Sequence, residues 1–157
     1  MDEDAGRPGF TYEAFQRMMP DANAALLAAG KAVDDAGLAK DLTELVKLRV
    51  SQINACAFCI QLHLNIARRI GVDVAKVEQI AHWRDAGLYT AREKAALAWG
   101  EHLTAMSEAP SSVDALAAMR AHFTDDEAMQ LTVAIASINA WNRISGGLGF
   151  PPPAATG

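Results

Sequence analysis

The chain has 157 residues, of which 51% are hydrophobic and 21% charged, and a formal net charge of −5. That length suits one domain, and that apolar share supports a core and excludes a disordered chain. The sequence pI is about 5.3 and no basic cluster dominates, so neither nucleic acid nor an anionic membrane is expected as a partner.

Apolar residues recur at three and four, and period-2 alternation is absent, so the predicted fold class is all-α. Thr11 caps a short helix ending near Met19. Pro20-Asp21 restarts the chain into a helix over Ala22–Asp35, closed by Gly37. A third helix covers about Lys40–Ser51, with Leu42, Leu45, Val46, Leu48 and Val50 on or near its apolar face. Gln52-Ile53-Asn54 reads as a bend, with Asn54 as N-cap of a fourth helix over about Ala55–Ile70 that stops at Gly71. Asp73 caps a fifth, reaching about Trp83. Thr90 with Glu93 and Thr124 with Glu127 fit capping boxes; the first opens a helix through about Met106, the second one through Arg143. Between them Pro110-Ser111-Ser112 breaks the chain and caps a helix ending near His122. Gly146-Gly147 and Pro151-Pro152-Pro153 end regular structure, leaving residues 146–157 as a loose tail. Neither a repeat nor a long linker divides the chain, so residues 1–157 read as a single domain.

No apolar run approaches the roughly 18 residues of a membrane span. The start, Met1-Asp2-Glu3-Asp4-Ala5-Gly6, is acidic and is not followed by an apolar segment, so no secretory signal is expected. A two-cysteine chain of this kind is expected in the reducing cytoplasm. There a CxxC is more often catalytic or metal-binding than structural.

The two cysteines, Cys56 and Cys59, are three apart, and His63 follows one turn after the second. At i and i+3 on a helix their Cβ atoms lie roughly 5–6 Å apart, whereas a disulfide needs about 3.5–4.5 Å. A bond can close after modest local adjustment and is expected to be strained, hence easily reduced. That suits turnover better than stapling and points to a redox enzyme.

Two arguments assign the nucleophile differently. In the first turn of its helix, Cys56 would gain from the dipole and free N–H groups. Cys59 is i−4 from His63 and within reach of its imidazole. Lowering a thiol pKa from about 8.5 to about 6.5 raises its thiolate fraction at pH 7 about 25-fold. A Brønsted coefficient of about 0.4–0.5 removes roughly 6- to 10-fold of that. General acid–base catalysis contributes about 10²–10⁴, so the histidine contact favours Cys59, with Cys56 as resolving thiol. With a peroxide as substrate, Cys59 attacks the O–O bond and His63 relays the proton. The sulfenic acid then condenses with Cys56. On the preceding helix Glu44, Lys47, Leu48 and Ser51 share one stripe, from which Glu44 could orient the imidazole.

The stretch Glu44-Leu45-Val46-Lys47-Leu48-Arg49-Val50-Ser51-Gln52-Ile53-Asn54-Ala55-Cys56-Ala57-Phe58-Cys59, continuing to His63 and Ala67-Arg68, resembles the core of the alkylhydroperoxidase AhpD-like proteins of the carboxymuconolactone decarboxylase superfamily. The resemblance extends to Trp83-Arg84, to the segment from Thr90 to Trp99 and to that from Ile138 to Arg143, and covers about residues 40–143. It implies an all-α domain with a CxxC helix at its centre, assembled as a homotrimer or homohexamer. It also implies a thiol peroxidase for organic hydroperoxides, with Glu44 and His63 as relay, Cys59 as peroxidatic thiol and Cys56 as its partner. An external dithiol, lipoyl or thioredoxin-like, would be the reductant, and neither cofactor nor metal is required. The best-known members carry a histidine where this chain has Phe58, and many carry glycine where it has Ala55. Carboxymuconolactone decarboxylases proper lack the CxxC, so lactone decarboxylation fits poorly.

Other readings use the same residues. A disulfide oxidoreductase or redox sensor would make Cys56 the better nucleophile, and a non-catalytic oligomeric scaffold would leave both thiols ordinary. Zinc would find three ligands here and no evident fourth. Glu44 could instead be a surface charge paired with Lys47 or Lys40. His82, His102 and His122 near helix ends, and Trp83, Trp99 and Trp141, read as structural. Asn139, Asn142 and Arg143 read as polar contacts at a helix or subunit interface, and the Asp125-Asp126-Glu127 cluster as a complement to a helix N-terminus.

Overall fold

Alanine-rich segments with strong caps at their starts fold here into a helical assembly without a strand among the described residues. The computed structural model describes residues 9–109 and 111–157; the acidic start at residues 1–6 and the helix-breaking Pro110 lie outside them. In chain order the helices are α1 (Tyr12–Met18), α2 (Pro20–Ala36), α3 (Lys40–Ile53), α4 (Ala57–Ile70), α5 (Val74–Glu78), α6 (Ala91–Thr104), α7 (Val113–Arg120) and α8 (Asp125–Trp141). Among the described residues no helix is long and apolar enough to cross a membrane.

Local chemistry sets most of the starts. Thr11 accepts from the Ala14 N–H at 3.1 Å, and Asp73 accepts from Ala75 N–H at 2.9 Å. Both expected capping boxes, Thr90 with Glu93 and Thr124 with Glu127, are present in full. Pro20 occupies the first turn of α2, where its missing N–H costs nothing.

Helix α3 is the hub, laid against α4, α6 and α8. Its predicted apolar residues Leu42, Leu45, Val46, Leu48 and Val50 are all at most 4% exposed, and Thr43, Glu44 and Ser51 are buried with them. Helix α6 approaches so closely that a Cβ on Gly100 would meet Val46 Cγ1 at 3.0 Å. That contact explains a glycine inside a helix, where it otherwise costs about 1 kcal/mol relative to alanine.

Four expectations are corrected. The fifth helix stops at Glu78 and gives way to a 3-10 turn over Ile80–His82. The tighter turn eclipses residues three apart, so Ile80 and Trp83 both point into the core, at 0% and 4% exposure. The last helix leaves α geometry after Trp141 and continues as a π turn over Asn142–Gly146. The wider turn holds Asn142 and Ser145 buried, with Gly146 against Cys56. The tail is not loose. Phe150 is 3% exposed, and the chain beyond it is tied to α4 by Asn65 and Arg68, which bond the backbone at Ala154 and Thr156.

The fourth correction concerns the bend before α4. Asn54 is not its N-cap; the side chain is drawn instead to Asn139 Oδ1 at 3.0 Å and Asn142 Oδ1 at 2.9 Å. Helix α3 ends in a Schellman motif, with Ala55 N–H bonded to Gln52 O and Cys56 N–H to Ser51 O, each at 3.1 Å. The motif needs a left-handed residue at Ala55, which has φ +51°. Helix α4 then starts at Ala57 with Cys56 as its cap.

A left-handed backbone costs a non-glycine residue roughly 1–2 kcal/mol, while glycine loses about 0.4–1 kcal/mol through the unfolded chain. Ala55→Gly should therefore stabilise the protein by about 0.5–1 kcal/mol in urea unfolding. A destabilised variant would contradict the argument.

Candidate active site

The turn at Ala55 folds α4 back along α3 and sets Glu44 opposite His63. Glu44 is buried on α3, at 1% exposure, although it is a carboxylate. His63 is buried on α4, and its Nδ1 lies 2.6 Å from Glu44 Oε2. The contact is direct and needs no bridging water. The other carboxylate oxygen, Oε1, lies 3.3 Å from Lys47 Nζ and 3.9 Å from Lys40 Nζ. Burial by itself pushes the Glu44 carboxyl up. The His63 hydrogen bond and the charges of His63, Lys47 and Lys40 outweigh it and hold the group below the usual carboxylate range. An ionised Glu44 accepts from Nδ1–H, and when the imidazole is neutral its Nε2 then keeps a free lone pair.

Cys56 and Cys59 are joined as a disulfide, their Cα atoms 5.3 Å apart. Both are buried. Cys56 caps α4, and its sulfur accepts from the Cys59 N–H at 3.3 Å. The sequence reading put Cys56 inside the first turn; as the cap it still faces the helix N-terminus, where a thiolate is favoured. Cys59 stands one turn before His63 on the same helix face. The four expected residues Glu44, Cys56, Cys59 and His63 thus gather in one α3–α4 hairpin.

Phe58 lies in an aromatic cluster assembled from both ends of the chain. Its ring centroid is 5.6 Å from Tyr12 on α1 and 5.7 Å from Phe150 in the tail. Phe15 and Trp141 extend the cluster, their centroids 6.0 Å apart. The sequence signal for this was slight: Tyr12 and Phe15 at i, i+3 and a lone Phe150 after two glycines.

The asparagines form a helix-to-helix network. Asn142 donates to Ser51 Oγ at 3.0 Å, Asn139 donates to Thr104 Oγ1 at 3.2 Å, and Arg143 donates to Asn139 Oδ1 at 3.0 Å. Together with Asn54 they clamp the α3–α4 corner to α6 and to the end of α8. Sequence reasoning missed a second partly buried carboxylate, Glu101, which accepts from Arg49 and Trp83 at 2.9 Å and from Arg84 at 2.6 Å. Burial raises that carboxyl, and the three donors more than reverse it. Its hydrogen-bond partners tie α3, α6 and the segment after the 3-10 turn together. His102 binds Ser112 at 2.9 Å and stacks on Trp99, and Trp99 donates to Thr132 at 3.0 Å. Glu127 is pulled down to about 2 by the Arg92 guanidinium.

Comparison with known proteins places this hairpin in a family. The carboxymuconolactone decarboxylase family model matches residues 20–102. An uncharacterised Bacillus subtilis protein, YdfG, is 30% identical over 136 residues, 87% of this chain and 92% of its own length. The crystal structure of ATU0492 from Agrobacterium tumefaciens, a protein of unknown function linked to antioxidant defence as an AhpD, superposes with a TM-score of 0.86 at 36% identity. The match covers 92% of this chain and 99% of that one. The debrominase Bmp8, solved as a cysteine-to-alanine variant in complex with 2,3,4-tribromopyrrole, shares the fold alone. Its TM-score is 0.80 at 20% identity, over 90% of this chain and 75% of its own. The chain belongs to the carboxymuconolactone decarboxylase family and is an AhpD-like member of that superfamily.

Proposed function

We propose that the protein is a thiol-dependent peroxidase acting on organic hydroperoxides. The observation that carries this reading is the Glu44–His63 contact of 2.6 Å beside a CxxC already closed as a disulfide. In the reduced enzyme, Nε2 of His63 takes the proton of the Cys59 thiol. The thiolate attacks the O–O bond, the distal oxygen stays on sulfur as Cys59 sulfenic acid, and the departing alkoxide takes the proton back from the imidazole as an alcohol. The Cys56 thiol then displaces water from the sulfenic acid, giving the Cys56–Cys59 disulfide. An external dithiol, lipoyl or thioredoxin-like, reduces it by exchange and is itself oxidised to a disulfide. The enzyme works without a cofactor, in a reducing compartment such as the cytoplasm.

Peroxide consumption in the presence of a dithiol should vanish in Cys59→Ser. In Cys56→Ser a single turnover should persist and leave a sulfenic acid on Cys59, detectable by a dimedone-type probe. Full activity in Cys59→Ser would refute the assignment, and alkylation of Cys56 rather than Cys59 by a thiol-selective reagent near neutral pH would favour a disulfide oxidoreductase.

Glu44→Gln tests the relay itself. An amide either donates to or accepts from Nδ1 and so no longer enforces one tautomer. Turnover should fall by about 10²-fold or more, the range of general acid–base catalysis, with the fold retained by circular dichroism. Unchanged turnover would remove Glu44 from the mechanism.

Assembly as a homotrimer or homohexamer belongs to the same reading. Exposed apolar side chains support it, among them Val113 on α7 and Met129 and Val133 on α8, the last two one turn apart. Sedimentation at micromolar concentration should give three or six copies, and a monomer would count against it.

A further inference from the structure

Glu44 uses one oxygen on the imidazole and has the other occupied. Lys47 sits one turn further along α3, its Nζ 3.3 Å from Glu44 Oε1 and its side chain 13% exposed. An ammonium so little hydrated needs a compensating partner, and among the described residues Glu44 is the partner it has. Lys40, 3.9 Å from the same oxygen, is 40% exposed and is held at 2.7 Å by Asp34 of α2. Among the described residues, the charged or titratable side chains on this carboxylate are therefore Lys40 and Lys47 from α3 and His63 from α4. Asp34 from α2 acts only through Lys40, and the α4 cysteines are tied up in their disulfide.

With the imidazole neutral, the heavy-atom geometry allows two arrangements of protons. With Glu44 ionised, Nδ1 carries the hydrogen and Nε2 is free to act as a base. With Glu44 protonated, the carboxyl donates to Nδ1 and the ring hydrogen moves to Nε2, which leaves no base toward Cys59. Burial favours the protonated carboxyl; the His63 hydrogen bond and charge, and after them the cations on the second oxygen, favour the ionised one.

We propose that Lys47 is the positioning residue of this site: its ammonium, on the oxygen that His63 does not use, keeps Glu44 ionised and so fixes the His63 tautomer with Nε2 free. Its use in turnover rests on the peroxidase reading above. Its physical content is the charge state of Glu44, which is measured without substrate.

Glutamate labelled with ¹³C at the carboxyl, with the Glu44 resonance assigned through Glu44→Gln, gives that titration in the disulfide form. In Lys47→Met the midpoint should rise by about one pH unit or more. The ¹⁵N shifts should show His63 Nε2 becoming pyrrole-like and Nδ1 pyridine-like as Glu44 takes up its proton, a pattern an imidazolium does not give. Lys47→Arg should keep the wild-type values, since it retains the charge. Lys47→Gln is measured alongside, so that a folding defect in the methionine variant leaves the question decidable. An unmoved midpoint in the neutral variants, or an equal rise in Lys47→Arg, overturns the proposal. A shifted midpoint in a protein that consumes no peroxide sustains this assignment and removes the peroxidase reading. Peroxide consumption with an unmoved midpoint does the reverse.

Discussion

A carboxylate buried in a helical core loses its hydration, and that loss is not recovered unless hydrogen bonds and opposite charges replace the water. Glu44 is such a group, in the second turn of the helix on which the molecule is built. Its two oxygens are met by an imidazole from α4 and an ammonium from its own helix. This constraint fixes how α4 lies against α3, because a shift of either helix would strand a buried charge. Removing one partner of such a pair typically costs about 3–5 kcal/mol. The same contact orients the His63 ring, so the helix packing and the geometry of the candidate site rest on one interaction.

The corner joining the two helices meets that requirement with few residues. Ala55 takes a left-handed conformation that ends α3, and Cys56, the next residue, caps α4. The cap and the first buried residue of the helix are the two cysteines, so the disulfide spans the helix N-terminus. Asn54, Asn139 and Asn142 hold the corner from behind, and the π turn at the end of α8 brings Gly146 against Cys56. Phe58, between the cysteines, points into rings from the first helix and the tail. A histidine there would have to leave that cluster or replace an apolar ring in it. Glu44, His63 and Lys47 form the polar cluster of the hairpin, and the position between the cysteines is given to packing.

Elements readable from local chemistry were read well. Capping boxes at Thr90 and Thr124 act within four residues, and the apolar stripe of α3 repeats within one helix. Asn54 illustrates the opposite case. Its residue type fits an N-cap, but its amide is taken by asparagines 85 and 88 positions away, and a long-range bond outranks a local preference. The tail misled for the same reason: three prolines and glycines describe a segment without helix, yet Phe150 and the backbone beyond it dock onto α4 through Asn65 and Arg68.

From sequence alone came the helical class, the placement of Cys56, Cys59 and His63 along one helix face, and, through the family resemblance, Glu44. The first two follow from spacing at three and four, which is a property of a single helix, although Cys56 turned out to be the cap of that helix. Whether Glu44 was a surface charge on Lys47 or a buried partner of His63 could not be decided there, since both pairings fit the same spacing. The tertiary structure resolves the choice by making both. Desolvation and the reach from α3 to α4 exist only once the helices pack, and they turn an ordinary glutamate–lysine pair into the second face of a buried carboxylate.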